Sequence, residues 1–381
     1  LWIVILLSCL LGLVSGVPGK PFWGFGFLIL FGVSWIIFTT SQFLGHSIMW
    51  DVVKPVTSLA LTQLSLFSFT FLVMDRDKRF LKDTFGTYIS PELIEQMVEE
   101  KEEPKLGGDE AFHTAFFTDV QDFSTISEQL TAIDLVELLN VYLTDMTTIL
   151  LENQGTLDKY IGDAIVAFYG APVPIKDHAY KACKTALEMQ ERLEFLRKEW
   201  INDGERWPEI VHSMQNRIGI HSGPMVTGNM GSEQRMNYTM MGDAVNLAAR
   251  LESSCKFYGI YTQITEDTYA EVKDKVVVRE LDRIIVKGKN KPVTTYELIS
   301  LSDQQPEYMK ELLPGFQEAL ELYRSREWEK AEALFSSLEK YEKMVPGRST
   351  NPSSIYSERC RNYEKNPPPE NWDGVTKLKS K

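Results

Sequence analysis

Gly155-Thr-Leu-Asp-Lys-Tyr-Ile-Gly-Asp-Ala-Ile-Val-Ala-Phe-Tyr-Gly170 reads as two short strands broken at Gly162-Asp163. A Gly-Asp pair between β-branched and aromatic runs is a hairpin signal. Taken alone, it describes only a tight turn with Asp163 in solvent. Two details argue for more. Side chains alternate along a strand, so Lys159 is expected to share a face with Leu157 and Ile161, an unusual way to build a purely structural strand. Upstream, Thr114-Ala-Phe-Phe-Thr-Asp119 is a second apolar strand ending on an acid, followed by Val-Gln-Asp-Phe123. Two strands that each deliver one aspartate can hold divalent cations for phosphate chemistry.

Outward from this hairpin, Gly108 to about Ser300 alternates strands and helices. Strand Thr114–Thr118 leads to a helix over Ala132–Glu152, with Leu135, Leu138, Leu139, Tyr142 and Leu143 at helical spacing. After the hairpin comes a helix over Asp177–Trp200, then a strand Gln215–His221 with Pro224–Asn229 as its hairpin partner. A helix over Asp243–Ser253 and strands Val276–Arg279 and Thr294–Leu298 close the unit. The β-α-β-β-α-β order predicts an α+β, ferredoxin-like domain over 107–300, its antiparallel sheet covered on one face.

Two further patterns lie in this stretch. In Tyr238-Thr-Met-Met-Gly-Asp-Ala-Val-Asn-Leu-Ala-Ala-Arg250, Asn246 and Arg250 are four apart and share a helical face. The bland alternative is an exposed polar stripe. Val286-Lys-Gly-Lys289 brings two cations around a glycine, as a solvated turn or as a clamp on a triphosphate.

Together, in this order and spacing, the motifs resemble the class III nucleotidyl cyclases over roughly Gly107 to Leu298. The resemblance implies that Asp119 and Asp163 hold two divalent cations, Mg2+ or Mn2+. It makes Lys159 and Thr239 the readers of the purine, Asn246 the residue that orients the ribose, and Arg250 the one that stabilises the reacting α-phosphate. Lys287, ahead of Lys289, corresponds to the β/γ-phosphate lysine, and the backbone of the loop to Phe123 to a phosphate contact. Lysine donates to adenine N1 but offers guanine N1–H no acceptor, so Lys159 points to ATP rather than GTP. The implied reaction is attack of the ATP 3′-hydroxyl on the α-phosphate, giving 3′,5′-cyclic AMP and pyrophosphate. Sites in this family form between two catalytic domains. One complete set of residues in one chain implies a homodimer with two equivalent sites. One departure stands out: Asp122 occupies a position where the family usually has glycine. Aspartate tolerates left-handed backbone, so the loop is still expected to form.

The rest of the chain carries less chemistry. A first residue of Leu rather than Met is expected of a fragment. Net charge of −13 argues against nucleic-acid binding by phosphate neutralisation. Four cysteines, Cys9, Cys183, Cys255 and Cys360, are too far apart for a zinc site or disulfide framework. Leu1–Val17, Phe22–Leu44 and Val53–Met74 are apolar runs of spanning length, so residues 1–74 are expected to form three transmembrane helices. Asp75-Arg-Asp-Lys-Arg-Phe-Leu-Lys82 follows the third, which puts the remainder in the cytoplasm and makes the protein multi-pass in the inner membrane. Residues 75–106 are a connector helix opened by Ser90-Pro91-Glu92. Residues 301–381 are a helical extension whose helix pair, opened by Pro314-Gly315 and continued over Glu327–Tyr341, resembles one tetratricopeptide repeat docked on the catalytic domain.

The expected whole is a membrane-anchored adenylate cyclase under an extracytoplasmic sensor, similar to bacterial receptors of the CHASE type. The competing expectations are a guanylate cyclase and a nucleotide-binding dimer without turnover.

Overall fold

The computed structural model describes residues 21–65, 68, 105–285, 292–345, 348 and 350–377. The chain divides into two compact units, Leu1–Glu99 and Glu100–Lys381. In the first, one helix runs over Pro21–His46, and its Ile29–His46 stretch is long and apolar enough to cross a bilayer. A second helix covers 53–65, and Asp51 caps it by accepting from the Val53 and Lys54 amides at 3.0 and 3.1 Å. Lys54 turns back to Asp51 at 2.8 Å. The first expected span, the end of the third and nearly all of the connector lie outside the described residues.

The second unit is built on one sheet. Its strands are β1 (Gly107–Val120), β2 (Thr156–Ile161), β3 (Ala164–Tyr169), β4 (Asn216–Ser232), β5 (Arg235–Met241), β6 (Thr262–Thr265), β7 (Val276–Ile285), β8 (Val293–Leu301) and β9 (Val375–Lys377). They lie in the order β2-β3-β1-β4-β6-β8-β7-β9, with β5 paired to β4. The first four strands give the ferredoxin-like arrangement, with the helices α1 (Phe123–Gln129), α2 (Ala132–Glu152) and α3 (His178–Asn202) in their crossovers. Tyr142, Met146 and Leu150 of α2 and Ala182, Met189 and Leu193 of α3 bury one sheet face together with Phe116 and Ile220.

The opposite face is covered as well, contrary to expectation. Alternation turns Ala115 and Val166 away from the α2/α3 core. Met240 of β5 and Ala244 and Ala248 of α4 (Asp243–Tyr258) pack on them. The helix outlasts the expected end at Ser253 and stops at Gly259, whose φ of +63° is the left-handed conformation a helix terminus favours.

The expected hairpin at Ser222-Gly223 does not exist. All 14 positions of β1 pair with β4, which runs through Gly223-Pro224 without turning. The true hairpin partner of β4 is β5. Proline is tolerated here for a local reason. The Ser222 amide points to the β4 edge between β6 and β5, where the Thr268 hydroxyl accepts it at 2.8 Å. Pro224, two residues on, faces the same edge, so its missing donor costs the β1 ladder nothing.

After Leu301 come α6 (Met309–Arg324), α7 (Trp328–Glu342) and α8 (Pro352–Lys365), α5 being Glu266–Val272. Pro314 lies inside α6 rather than opening it. Phe316, Tyr323, Phe335 and Tyr356 form the core of this extension. It is fastened to the sheet: Tyr356 donates to the Leu281 carbonyl at 2.6 Å, Arg359 reaches Asp282 at 2.8 Å, and β9 pairs in parallel with β7.

Candidate active site

Asp119 and Asp163 are brought to the same end of the sheet. Asp119 sits one residue before the end of β1, directly across from Arg217 of β4. Asp163 lies in the two-residue turn that joins β2 to β3, where Ile161 pairs with Ala164 and Gly162 takes φ +66°. It is buried and accepts the Val120 amide at 2.8 Å. Burial, reinforced by the neighbouring Asp119 charge, pushes its carboxyl up to about 6 against the pull of that hydrogen bond.

The balancing cation is Arg217, which sequence reading missed. Its Nη2 donates to Asp119 Oδ2 at 2.7 Å, and its Nε lies 3.1 Å from Glu252 Oε1 of α4. Burial alone would lower its basicity, but the Glu252 and Asp119 carboxylates hold it above its usual value. The signal was available: in Gln215-Asn-Arg-Ile-Gly-Ile220 a cation stands at the head of an apolar strand.

Two adjacent carboxylates, one raised by burial, are a hard-oxygen set suited to Mg2+ or Mn2+. Among the described residues no group of three His, Cys, Asp or Glu converges on a point. An ion held by these two side chains would have its other positions open to substrate oxygens, the usual arrangement for Mg2+ on nucleotides. Asp122 takes φ +54° and ψ +31°, so the loop forms with aspartate in the left-handed conformation and α1 starts after it. Phe123 opens α1 and packs its ring against the α2/α3 core, leaving its backbone at the loop.

Lys159 and Thr239 also meet, Nζ to Oγ1 at 3.4 Å, although β2 and β5 are not hydrogen-bonded neighbours. One expectation about Lys159 is corrected. The β2–β3 register slips between Leu157, which pairs with Ala167, and Lys159, which pairs with Val166. Ala167 belongs to the α2/α3 core and Val166 to the α4 face, so Lys159 lies opposite Leu157. The bulge at Asp158 reverses the alternation. It aims Lys159 at the face that carries β5 and α4.

Asn246 and Arg250 stand exposed on α4, on that same side of the sheet. The Asn246 amide donates to the Gly242 carbonyl at 3.3 Å. No hydrogen bond joins Asn246 to Asp119 or Asp163 among the described residues. Lys287 and Lys289 lie outside the described residues.

Residues 111–300 match the family model of the adenylate and guanylate cyclase catalytic domain. A terminal-differentiation-specific adenylate cyclase of Dictyostelium discoideum is 33% identical over 251 residues, 65% of this chain and 11% of that protein. Adenylate cyclase 1 of Rhizobium meliloti (strain 1021) is 35% identical over 221 residues, 57% of this chain and 32% of that protein. The chain spans less than half the length of these curated relatives. The crystal structure of the adenylyl cyclase CyaB from P. aeruginosa is 34% identical, covering 53% of this chain and 100% of that one, with a TM-score of 0.47. By this matching domain, the chain belongs to the adenylate and guanylate cyclase catalytic domain family, the class III cyclases.

Proposed function

We propose that this chain is an adenylate cyclase, converting ATP to 3′,5′-cyclic AMP and pyrophosphate as a homodimer. The observation that carries the reading is the pairing of Lys159 with Thr239 on one face, separate in role from the carboxylate pair Asp119 and Asp163. Lys159 donates to adenine N1 while Thr239 meets the 6-amino group. Divalent ions held by the two aspartates would supply activation of the 3′-hydroxyl and neutralisation of the leaving phosphates. Arg217, next to Asp119, adds a guanidinium for the pyrophosphate end, and Lys287 is assigned the same task. Asn246 orients the ribose, and Arg250 bears on the charge that builds at the α-phosphate. Phosphoryl transfer asks mainly for such positioning and neutralisation.

Asn246 and Arg250 serve a site completed by the aspartates of a second copy, as the homodimer requires. The apolar N-terminal runs hold the two copies in the inner membrane, with three spans, a connector over 75–106 and a sensor outside. The helical extension over 301–381, with its tetratricopeptide-like pair, braces the catalytic domain. The test is production of cyclic nucleotide by the full chain in membranes, with ATP and GTP in parallel, under Mg2+ and then Mn2+. Cyclic AMP from ATP, lost in Asp119→Ala, supports the reading. Cyclic GMP as the main product favours a guanylate cyclase, and nucleotide binding without product favours a signalling dimer.

A further inference from the structure

Asp158 is the residue that the β2 bulge inserts, and nothing in the sequence pattern marked it. Its side chain is only 2% exposed. Thr239 Oγ1 donates to its Oδ2 at 2.5 Å, while Lys159 Nζ lies 3.2 Å from its Oδ1. One buried carboxylate therefore holds both residues assigned to the purine, one with each oxygen.

The consequence follows from donor and acceptor counting. A threonine hydroxyl has one hydrogen to give and two lone pairs to receive with. A carboxylate only accepts, so Thr239 spends its hydrogen on Asp158 and faces the cleft as an acceptor. Lys159 beside it has only hydrogens to give. The pair presents a donor next to an acceptor. Adenine carries the complement, an acceptor at N1 and an amine at position 6. Guanine carries the reverse, N1–H and a carbonyl at position 6, and would set like against like at both.

We propose that Asp158 is a positioning residue that fixes Thr239 as an acceptor and so selects adenine over guanine. The inference rests on the proposed role of Lys159 and Thr239 as purine readers. A carboxylate that merely neutralised Lys159 would change affinity for both nucleotides alike. One that sets the direction of the Thr239 hydrogen changes their ratio.

The test is Asp158→Asn in the full chain. Lys159 demands an oxygen, so the new amide turns its oxygen to Lys159 and its NH2 to Thr239. Thr239 is then freed to donate outward, towards a position-6 carbonyl. Two readouts are taken: kcat/KM for ATP and GTP, and equilibrium binding of 3′-deoxy-ATP and 3′-deoxy-GTP, which cannot cyclise. The ATP-to-GTP ratio is expected to fall about tenfold or more by both, from the value of one mispaired buried hydrogen bond. A ratio within about twofold of wild type, with both nucleotides weakened together, overturns the inference. Thr239→Val keeps Asp158 and Lys159 but removes the hydroxyl. Lys159 still favours adenine there, so the ratio must fall as in Asp158→Asn without vanishing, and a ratio within about twofold of wild type overturns the inference even if Asp158→Asn does not fold. Combining the two substitutions should change the ratio no further than either alone.

The binding arm separates this inference from the proposed activity. A wild-type chain that makes no cyclic AMP but prefers 3′-deoxy-ATP, and loses that preference in Asp158→Asn, upholds the role of Asp158 and removes only the activity. A wild-type chain that binds both analogues equally, or neither, overturns the role of Asp158.

Discussion

Arg217 closes on Asp119, with its Nη2 2.7 Å from the carboxylate oxygen, while its Nε is held 3.1 Å from Glu252. A guanidinium this close occupies one of the two acids that the proposed chemistry gives to divalent ions. Arg217→Gln removes a competing positive charge and a candidate phosphate contact together. The expected outcome is several-fold tighter Mn2+ binding by the nucleotide-free chain, with turnover down by about tenfold or more. Mn2+ titration followed by paramagnetic relaxation, alongside a cyclase assay, checks both halves.

Asp163 is kept at a cost. A folded-state carboxyl raised to about 6 from an ordinary 3.8 gives stability that is complete below about pH 3.8, falls progressively as the pH rises, and is fully lost above about pH 6. At pH 7.5, Asp163→Asn removes a buried charge and still accepts the Val120 amide. The metal-free protein should gain about 1 kcal/mol, a figure discounted for water at the mouth of the site. Turnover should vanish. A denaturant titration in chelator and an activity assay read the two effects, and a loss of stability would contradict the account.

Complementation tests the shared site. In the proposed site, Asp119→Ala should disable the metal half and Arg250→Ala the α-phosphate half. Each alone should lose about a hundredfold or more of turnover. Mixed copies should recover part of it, because one of the two sites in each mixed dimer is intact. Absence of recovery, with mixed dimers present by crosslinking, would mean that each site belongs to one chain.

Two histidines set a pH limit on stability. Burial lowers His113 and His178 below the usual imidazole range, with His178's charge adding to the effect at His113, while Glu271 and Asp177 oppose it at His178. His178 Nδ1 is tied to Thr114 Oγ1 at 2.7 Å, which in turn meets Ser222 Oγ at 2.8 Å. Depressed folded values mean that the unfolded chain takes up protons first. Their contribution is complete above about pH 6.5 and is lost progressively below it. The Tm should therefore fall less between pH 7.5 and 5.5 in His178→Gln than in wild type.

The helical extension is held by a buried ionic cluster. Arg279 of β7 pairs with Glu297 of β8 and Glu342 of α7, and Arg348 pairs with the same two acids. Glu342 is 0% exposed and also accepts from the Ser353 hydroxyl at 2.7 Å. Glu342→Ala leaves the Arg279 and Arg348 guanidiniums to share the single carboxylate of Glu297 and should cost about 3–5 kcal/mol. Replacement by Gln should cost less, since the serine and one guanidinium bond survive. Chemical denaturation of the three proteins ranks them.

Much of the site was legible because its residues break local patterns. Acids at strand ends and a glycine in a tight turn are visible in any strand reading, and Asp119, Asp163 and the hairpin follow from them. Asn246 and Arg250 were placed on one helical face by spacing alone, and α4 bears them there. What escaped depended on register. Asp158 looks like an ordinary polar strand residue until the bulge shows which way it points, and no sequence period announces a bulge. Gly223-Pro224 carries every mark of a turn, yet pairing along the whole of β1 overrode them. The covering of the second face was missed because Ala244 and Ala248 are small and leave little hydrophobic signal.

The clamp between β7, β8 and the extension has a consequence for how the protein can be cut. Shared ancestry is written across residues 111–300, but Arg279 and Glu297 lie inside that stretch while Glu342 and Arg348 lie beyond it. A fragment trimmed at the family border would carry a buried guanidinium and a buried carboxylate stripped of half their partners, and would lose β9 from the edge of β7. The stretch that the family shares and the stretch that these contacts tie together are different lengths of chain here, and a portable enzyme would have to be cut to the second.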